Sequence, residues 1–247
     1  MDIAATKILI TGATRGIGRS LAIRLASRGA RLVLTGRDGD ALRSVQAELG
    51  DGADVIACDL SSHDATDALG EEVKGRHPDL SVLVNNAAVQ AEMDFLEGSS
   101  REIAVAARAE LALNLAAPMT LAAALMPVLR RQREAAIVNV TTALALAPKQ
   151  SAPVYCASKA GLRSFTQALR YQCADSAANV RVCEVVMSLV DTDMTRGRGS
   201  GKISAEAAAD AIVRGLEAGR SEVWVGKARL LPLLVRLSPK TVQRMLR

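Results

Sequence analysis

Aromatic side chains are nearly missing from this 247-residue chain: one Trp, two Tyr and two Phe make up 2% of it. Proteins that grip single-stranded nucleic acid stack bases on aromatics along a basic face, so no nucleic-acid partner is expected. Histidine is as scarce, at His63 and His77, and the four cysteines Cys58, Cys156, Cys173 and Cys183 stand far apart. Neither pattern offers zinc ligation, and no metal site is expected. Scattered, unpaired thiols suit a reducing compartment, so a cytoplasmic location is expected. No stretch of about 18 apolar residues is free of charge, so no membrane span is expected. The opening Met1-Asp2-Ile3-Ala4 lacks the cationic start of a secretion signal.

What the chain does contain is aliphatic. Hydrophobic residues make up 49% of it, ample for one buried core. Short runs rich in Ile, Leu and Val fall at 7–11, 31–35, 54–58, 81–85, 135–141, 180–186 and 222–225. Between them lie helical patterns near 17–28, 40–49, 64–77, 101–131, 153–174 and 205–218. Nearly continuous apolar strands are those covered on both faces, and alternating β and α segments predict right-handed parallel crossovers. The expected fold is a single α/β domain over 1–247. It is a Rossmann-type, doubly wound parallel sheet of about seven strands with helices on both faces.

Two motifs carry chemistry. The first is Thr11-Gly12-Ala13-Thr14-Arg15-Gly16-Ile17-Gly18, directly after the apolar run Lys7–Ile10. A strand entering a glycine-rich turn and then a helix presents backbone N–H groups to an anion, usually a dinucleotide pyrophosphate. The second is Tyr155-Cys156-Ala157-Ser158-Lys159. Tyr155 and Lys159 are four apart and share one face of a helix. A tyrosine with an ordinary pKa of about 10 exchanges protons poorly at neutral pH. A neighbouring ammonium favours the phenolate and lowers that value. A third segment, residues 192–203, is polar and glycine-rich and follows a strand, where doubly wound folds bind ligands; a mobile substrate loop is expected there. Its Gly201-Lys202 ending is not a P-loop, because position 196 is Arg where a glycine is required.

The two motifs, with Asn85-Asn86-Ala87 and Asn114 between them, resemble the compact, roughly 250-residue form of the short-chain dehydrogenase/reductase family. The resemblance covers about residues 5 to 225, and Val225–Leu231 is similar to the tail of a bacterial group within the family. It implies a catalytic set of Asn114, Thr142, Tyr155 and Lys159. Thr142 stands thirteen residues before Tyr155, where the family usually has serine. Its hydroxyl offers the same donor and acceptors, but the β-branch restricts χ1 and crowds the pocket. Asn114 matches the residue that holds a water in a proton relay toward the lysine. Cofactor contacts are implied for Gly12, Thr14, Arg15, Gly16, Ile17, Gly18, Arg37, Asp59, Leu60, Asn86 and Ala87. Tyr155, Lys159, Val190 and Thr192 complete that set.

The family's activity is hydride transfer between a nicotinamide cofactor and a carbonyl or alcohol, here expected to be small or apolar. NAD-preferring members carry an acid at the end of the second strand, where this chain has Gly36-Arg37. Arg37 and Arg15 offer guanidinium donors to a 2′-phosphate, so NADP(H) is the expected cofactor. Thr142 and two further departures leave open the alternative of a non-catalytic NADP(H)-binding sensor or interaction module. Ala88 replaces a glycine, and Met187-Ser188 replaces the usual Pro-Gly. A homodimer or homotetramer is expected by the same resemblance.

The charge is uneven. Residues 220–247 carry a net +6 against +5 for the whole chain, so the body is close to neutral and the tail 226–247 is cationic. Ser238-Pro239 reads as a helix start, with Arg244 and Arg247 near its end. The apolar run 230–235 also suits a subunit contact or a peripheral membrane contact.

Overall fold

The computed structural model describes residues 1–197 and 199–238. Seven strands form one parallel sheet: β1 (Lys7–Thr11), β2 (Arg31–Gly36), β3 (Ala53–Ala57), β4 (Val82–Asn85), β5 (Ala135–Thr142), β6 (Val180–Met187) and β7 (Glu222–Trp224). Their order is β3-β2-β1-β4-β5-β6-β7. The chain reverses direction across the sheet between β1 and β4, which opens a crevice at the carboxyl ends of those two strands.

Side chains alternate across each strand with period two, so one strand feeds two cores. Ile8 and Ile10 point to one face, with Leu32 and Leu34, under helices α1 (Gly16–Ala26), α2 (Gly39–Leu49) and α7 (Ala205–Glu217). Leu9, Val33, Leu83 and Ile137 point to the other face, under α3 (His63–Arg76), α5 (Ala117–Leu129) and α6 (Pro153–Ser176). The helix starts follow local rules. Asp38, Ser62 and Ser204 each accept a backbone N–H at the head of α2, α3 and α7. Pro153 opens α6, where its missing N–H costs nothing.

The single helix expected over 101–131 is continuous over 100–129 but changes pitch part-way. It runs as α4 (Ser100–Leu111), a π-helical turn (Ala112–Ala116) and α5. A π-turn inserts one residue per turn and redirects the side chains that follow it. Residues 100–129 are together long and apolar enough to cross a membrane by length and composition alone. Leu113, Leu121, Leu125 and Leu129 from that stretch are nonetheless packed in the core against the sheet.

All four cysteines are free and buried. Burial pushes the Cys58 thiol up to about 11 and the Cys183 thiol up to about 12. A short helix, α8 (Leu231–Leu237), closes the described chain. The further helix start expected at Ser238-Pro239, and Arg244 and Arg247 with it, lies outside the described residues except for Ser238, which ends α8.

Candidate active site

The crevice between β1 and β4 widens into a cleft of about 1020 Å³. Its floor is the glycine turn. Gly12 has φ +67°, a conformation that side chains rarely adopt. Gly18 has no such strain, yet a Cβ there would lie 2.1 Å from the Gly12 carbonyl oxygen. The turn is pinned from β4. The Thr11 hydroxyl accepts the backbone N–H groups of Asn86 (2.9 Å) and Ala87 (3.0 Å). The Asn86 amide donates to the Thr11 carbonyl at 2.9 Å and the Gly12 carbonyl at 3.3 Å. Asn86 therefore shapes the cradle. Thr11, which completes it, gave no signal in the sequence beyond its place before Gly12.

The cleft gathers most of the residues singled out from the sequence. Gly12, Thr14, Arg15, Gly16, Ile17 and Gly18 line one end, with Gly36, Arg37 and Leu60 beside them. Asn86 and Ala87 line the middle, and Val190 and Thr192 the far wall. Thr142, Tyr155 and Lys159 face the same space. Asp59 does not line it. Its carboxylate accepts the N–H (3.0 Å) and hydroxyl (2.7 Å) of Ser61, which hold it below the usual carboxylate range, with a smaller pull from Arg37.

Asn114 does not line the cleft either. It sits fully buried in the π-turn, where its Oδ1 accepts from Val89 N (2.9 Å). Its Nδ2 donates to Val89 O (2.8 Å) and the Ser158 hydroxyl (3.2 Å). Those bonds clamp the segment after β4 to α6, so the side chain is engaged with protein atoms on both its oxygen and its nitrogen. A related ladder below it was not legible in the sequence. Asn85 donates to Asn139 (2.8 Å), and Asn139 donates to Thr166 (2.8 Å), tying β4 to β5 and α6.

Two threonines compete for the role at the end of β5, and packing separates them. The Thr141 hydroxyl donates to the buried Glu184 carboxylate at 2.6 Å. Glu184 is held in turn by Arg163 at 2.6 Å, and Arg163 lies over the Trp224 ring. The Thr142 hydroxyl instead accepts the Leu144 N–H at 3.3 Å and stays on the cleft wall. Lys159 is 2% exposed and donates to the Val140 carbonyl at 2.9 Å. Burial lowers its pKa to about 8.

A residue matches a dinucleotide-binding turn only if the turn leaves room for the phosphates. Here the cradle is open because Gly12, Gly16 and Gly18 contribute no side chain, and the residues present fit that group. A family model described as short chain dehydrogenase matches residues 6–202. The chain belongs to the short-chain dehydrogenase family. It is an oxidoreductase of the kind that acts on CH–OH and carbonyl groups. The chain is 37% identical to an uncharacterized oxidoreductase, DltE, of Bacillus subtilis (strain 168), covering 90% of this chain and 89% of that protein. A short chain dehydrogenase from Burkholderia cenocepacia J2315, solved in complex with NADP, is 28% identical with a TM-score of 0.86. That match covers 100% of this chain and 99% of the other. One from Burkholderia phymatum, solved with NAD, shares the fold at 22% identity, with a TM-score of 0.85 over 100% and 97% of the two chains.

Distant parts of the sequence also reach the site. Residues 192–195 and 199–201 rim the cleft, and the stretch is closed at its base by Asp191 N to Ile203 O (2.8 Å) and Ile203 N to Leu189 O (3.1 Å). Arg15 reaches across to Asp193 at 3.7 Å, and Arg196 bonds the same carboxylate. The tail reaches the site too: Lys227, Ala228, Leu231 and Leu234 form part of the cleft wall. Leu231 anchors α8 against Ala147, while Leu230, Leu233 and Leu237 remain exposed.

Proposed function

We propose that the protein is an NADP(H)-dependent oxidoreductase for a small or apolar carbonyl/alcohol pair, with Tyr155 as its acid–base residue. One observation carries this reading: Thr142, Tyr155 and Lys159 face a single cleft whose other half is the glycine cradle. The dinucleotide, when bound, supplies or accepts the hydride. Gly12, Gly16, Gly18 and the adjoining backbone would hold its phosphates, and Thr192, packed against Gly16, would border its far end.

The protein's own work is positioning and proton handling. Tyr155 gives a proton to the substrate oxygen during reduction and takes it back during oxidation. Lys159, one helical turn along, places a positive charge beside the phenol and favours its ionised form. With its pKa near 8, the lysine is largely an ammonium at neutral pH. Thr142 orients the substrate oxygen through its hydroxyl. Asn114 holds α6 and the post-β4 segment in register, so its contribution to a proton relay acts through the shape of that wall. Ala143, Leu144, Leu189, Met194, Leu231 and Leu234 make the substrate end apolar. The 192–203 segment and α8 together would cover a bound substrate.

Cofactor preference follows from charge. Gly36 puts no carboxylate at the end of β2, and Arg37 stands exposed on the cleft lip. NADPH is expected to bind more tightly than NADH. Arg37→Asp is expected to reverse that order, since it sets a carboxylate against the 2′-phosphate. Fluorescence titration with both dinucleotides measures this, and tighter NADH binding by the unmodified protein would overturn it. Activity itself is tested by following NADPH absorbance across ketones, aldehydes and 3-oxoacyl thioesters.

Assembly is proposed as a homodimer or homotetramer. Large hydrophobic side chains stay exposed on two packed helices, with Val105 at 55% on α4 and Tyr171 at 62% on α6. Light scattering at micromolar concentration is expected to give at least twice the chain mass; a monomer sinks the proposal.

A further inference from the structure

Glu110 is a carboxylic acid with no evident reason to be inside the protein. It lies on the last turn of α4 and is 1% exposed. Neither carboxyl oxygen has a hydrogen-bond partner among the described residues, although the Ala91 amide leans toward it without reaching bonding geometry. A buried polar group in that condition costs stability, and a Leu of similar size would avoid most of the cost. Four residues on, Asn114 bonds Ser158 and brings this helix face against α6. On α6, Cys156 and Lys159 are the groups on which the Glu110 charge acts, favouring the protonated form of each. Lys159 is itself fully buried, with the Val140 carbonyl as its bonded neighbour. Two ionisable groups of opposite charge are thus buried on packed helices, and Lys159 also reaches the cleft wall.

We propose that Glu110 is a positioning residue for the chemistry: its carboxylate holds Lys159 in the ammonium form, and through Lys159 keeps Tyr155 able to exchange its proton. This rests on the reading of Lys159 as the tyrosine's partner. The physical basis is mutual. Burial pushes Glu110 up to about 7 and Lys159 down to about 8, and each charge pulls the other back toward its ionised form. The two groups therefore titrate as a coupled pair. Without the carboxylate, burial alone acts on the lysine, and it loses its proton at lower pH.

The test needs no substrate. Lysines of the full-length chain are labelled at the ε-carbon, and the Lys159 resonance is identified by its loss in Lys159→Met. In Glu110→Gln the Lys159 titration midpoint is expected to fall by on the order of one pH unit. Glu110→Leu, which also removes the polar atoms, gives the same shift and serves if the Gln variant fails to fold. By reciprocity, the Glu110 carboxyl of Lys159→Met is expected to titrate above its midpoint in the unmodified protein. With the carbonyl compound that oxidises NADPH fastest in the screen above, the alkaline fall of kcat/KM should move down in Glu110→Gln alongside the lysine. A Lys159 midpoint that stays put in a folded Glu110 variant overturns the inference, whatever the activity. If the midpoint moves but Tyr155→Phe keeps its activity, the catalytic reading fails and the coupling stands.

Discussion

Replacing Tyr155 by Phe is expected to lower turnover by about 10³-fold, within the usual range for losing a general acid–base group. NADPH affinity is expected to stay within about twofold, because the ring and the helix that carries it remain. The expectation follows from the cleft. Lys159 lines the same cleft with its ammonium donating to the Val140 carbonyl, and the proposed proton donor to the substrate oxygen is the phenol one turn away. Thr142→Ser is the matched control. It keeps the hydroxyl that faces the cleft, removes only a methyl, and should retain most of the activity. Steady-state kinetics and dinucleotide titration on the same preparations separate the two steps. Near-full activity in Tyr155→Phe removes the assigned mechanism.

Gly18→Ala is expected to be as damaging by a different route. The added methyl would lie 2.1 Å from the Gly12 carbonyl oxygen and 2.7 Å from the Asn86 amide nitrogen. The first of these is backbone and the second is the group that pins the turn to β4, so neither can swing aside cheaply. Forcing extra volume into a packed site costs about 1–3 kcal/mol, and here the strain falls on the cradle itself. The melting temperature should drop by several degrees, on the order of 2–4 °C per kcal/mol for a domain of this size. NADPH binding should weaken by at least about tenfold, the equivalent of 1.4 kcal/mol. Gly52→Ala makes the comparison fair, since a Cβ there meets nothing within 4 Å. That variant should be neutral or slightly stabilised through the loss of unfolded-chain freedom. A Gly18→Ala protein with unchanged melting and affinity would show that the cradle is looser than its contacts indicate.

Local pattern was enough to read the architecture and the two motifs. The strand at 7–11 and the helix start at Pro153 appear where expected, and the other element ends coincide or differ by at most two residues. The reason is that periods of 2 and 3.6, caps and glycine turns are short-range properties, written within a few residues of where they act. Tyr155 and Lys159 belong to this class too, because one helical turn relates them. Everything that needed two distant segments was decided by packing. No local signal distinguishes Thr141 from Thr142. Glu184, brought alongside by β6, takes up the first hydroxyl and leaves the second on the cleft. A π-turn reads like any other stretch of helix in sequence, yet it changes the pitch of the 100–129 helix where Asn114 meets Val89 and Ser158. The tail lies more than two hundred residues from the glycine turn and still walls the same cleft, because the crossover order returns the chain past β6 and β7 to that end of the sheet. Nothing beside Glu110 in the sequence sets it apart from the other charges of its helix. Only the approach of α6 removed its water and set it beside a buried lysine, since desolvation depends on what the whole fold brings near a group and not on its neighbours in sequence.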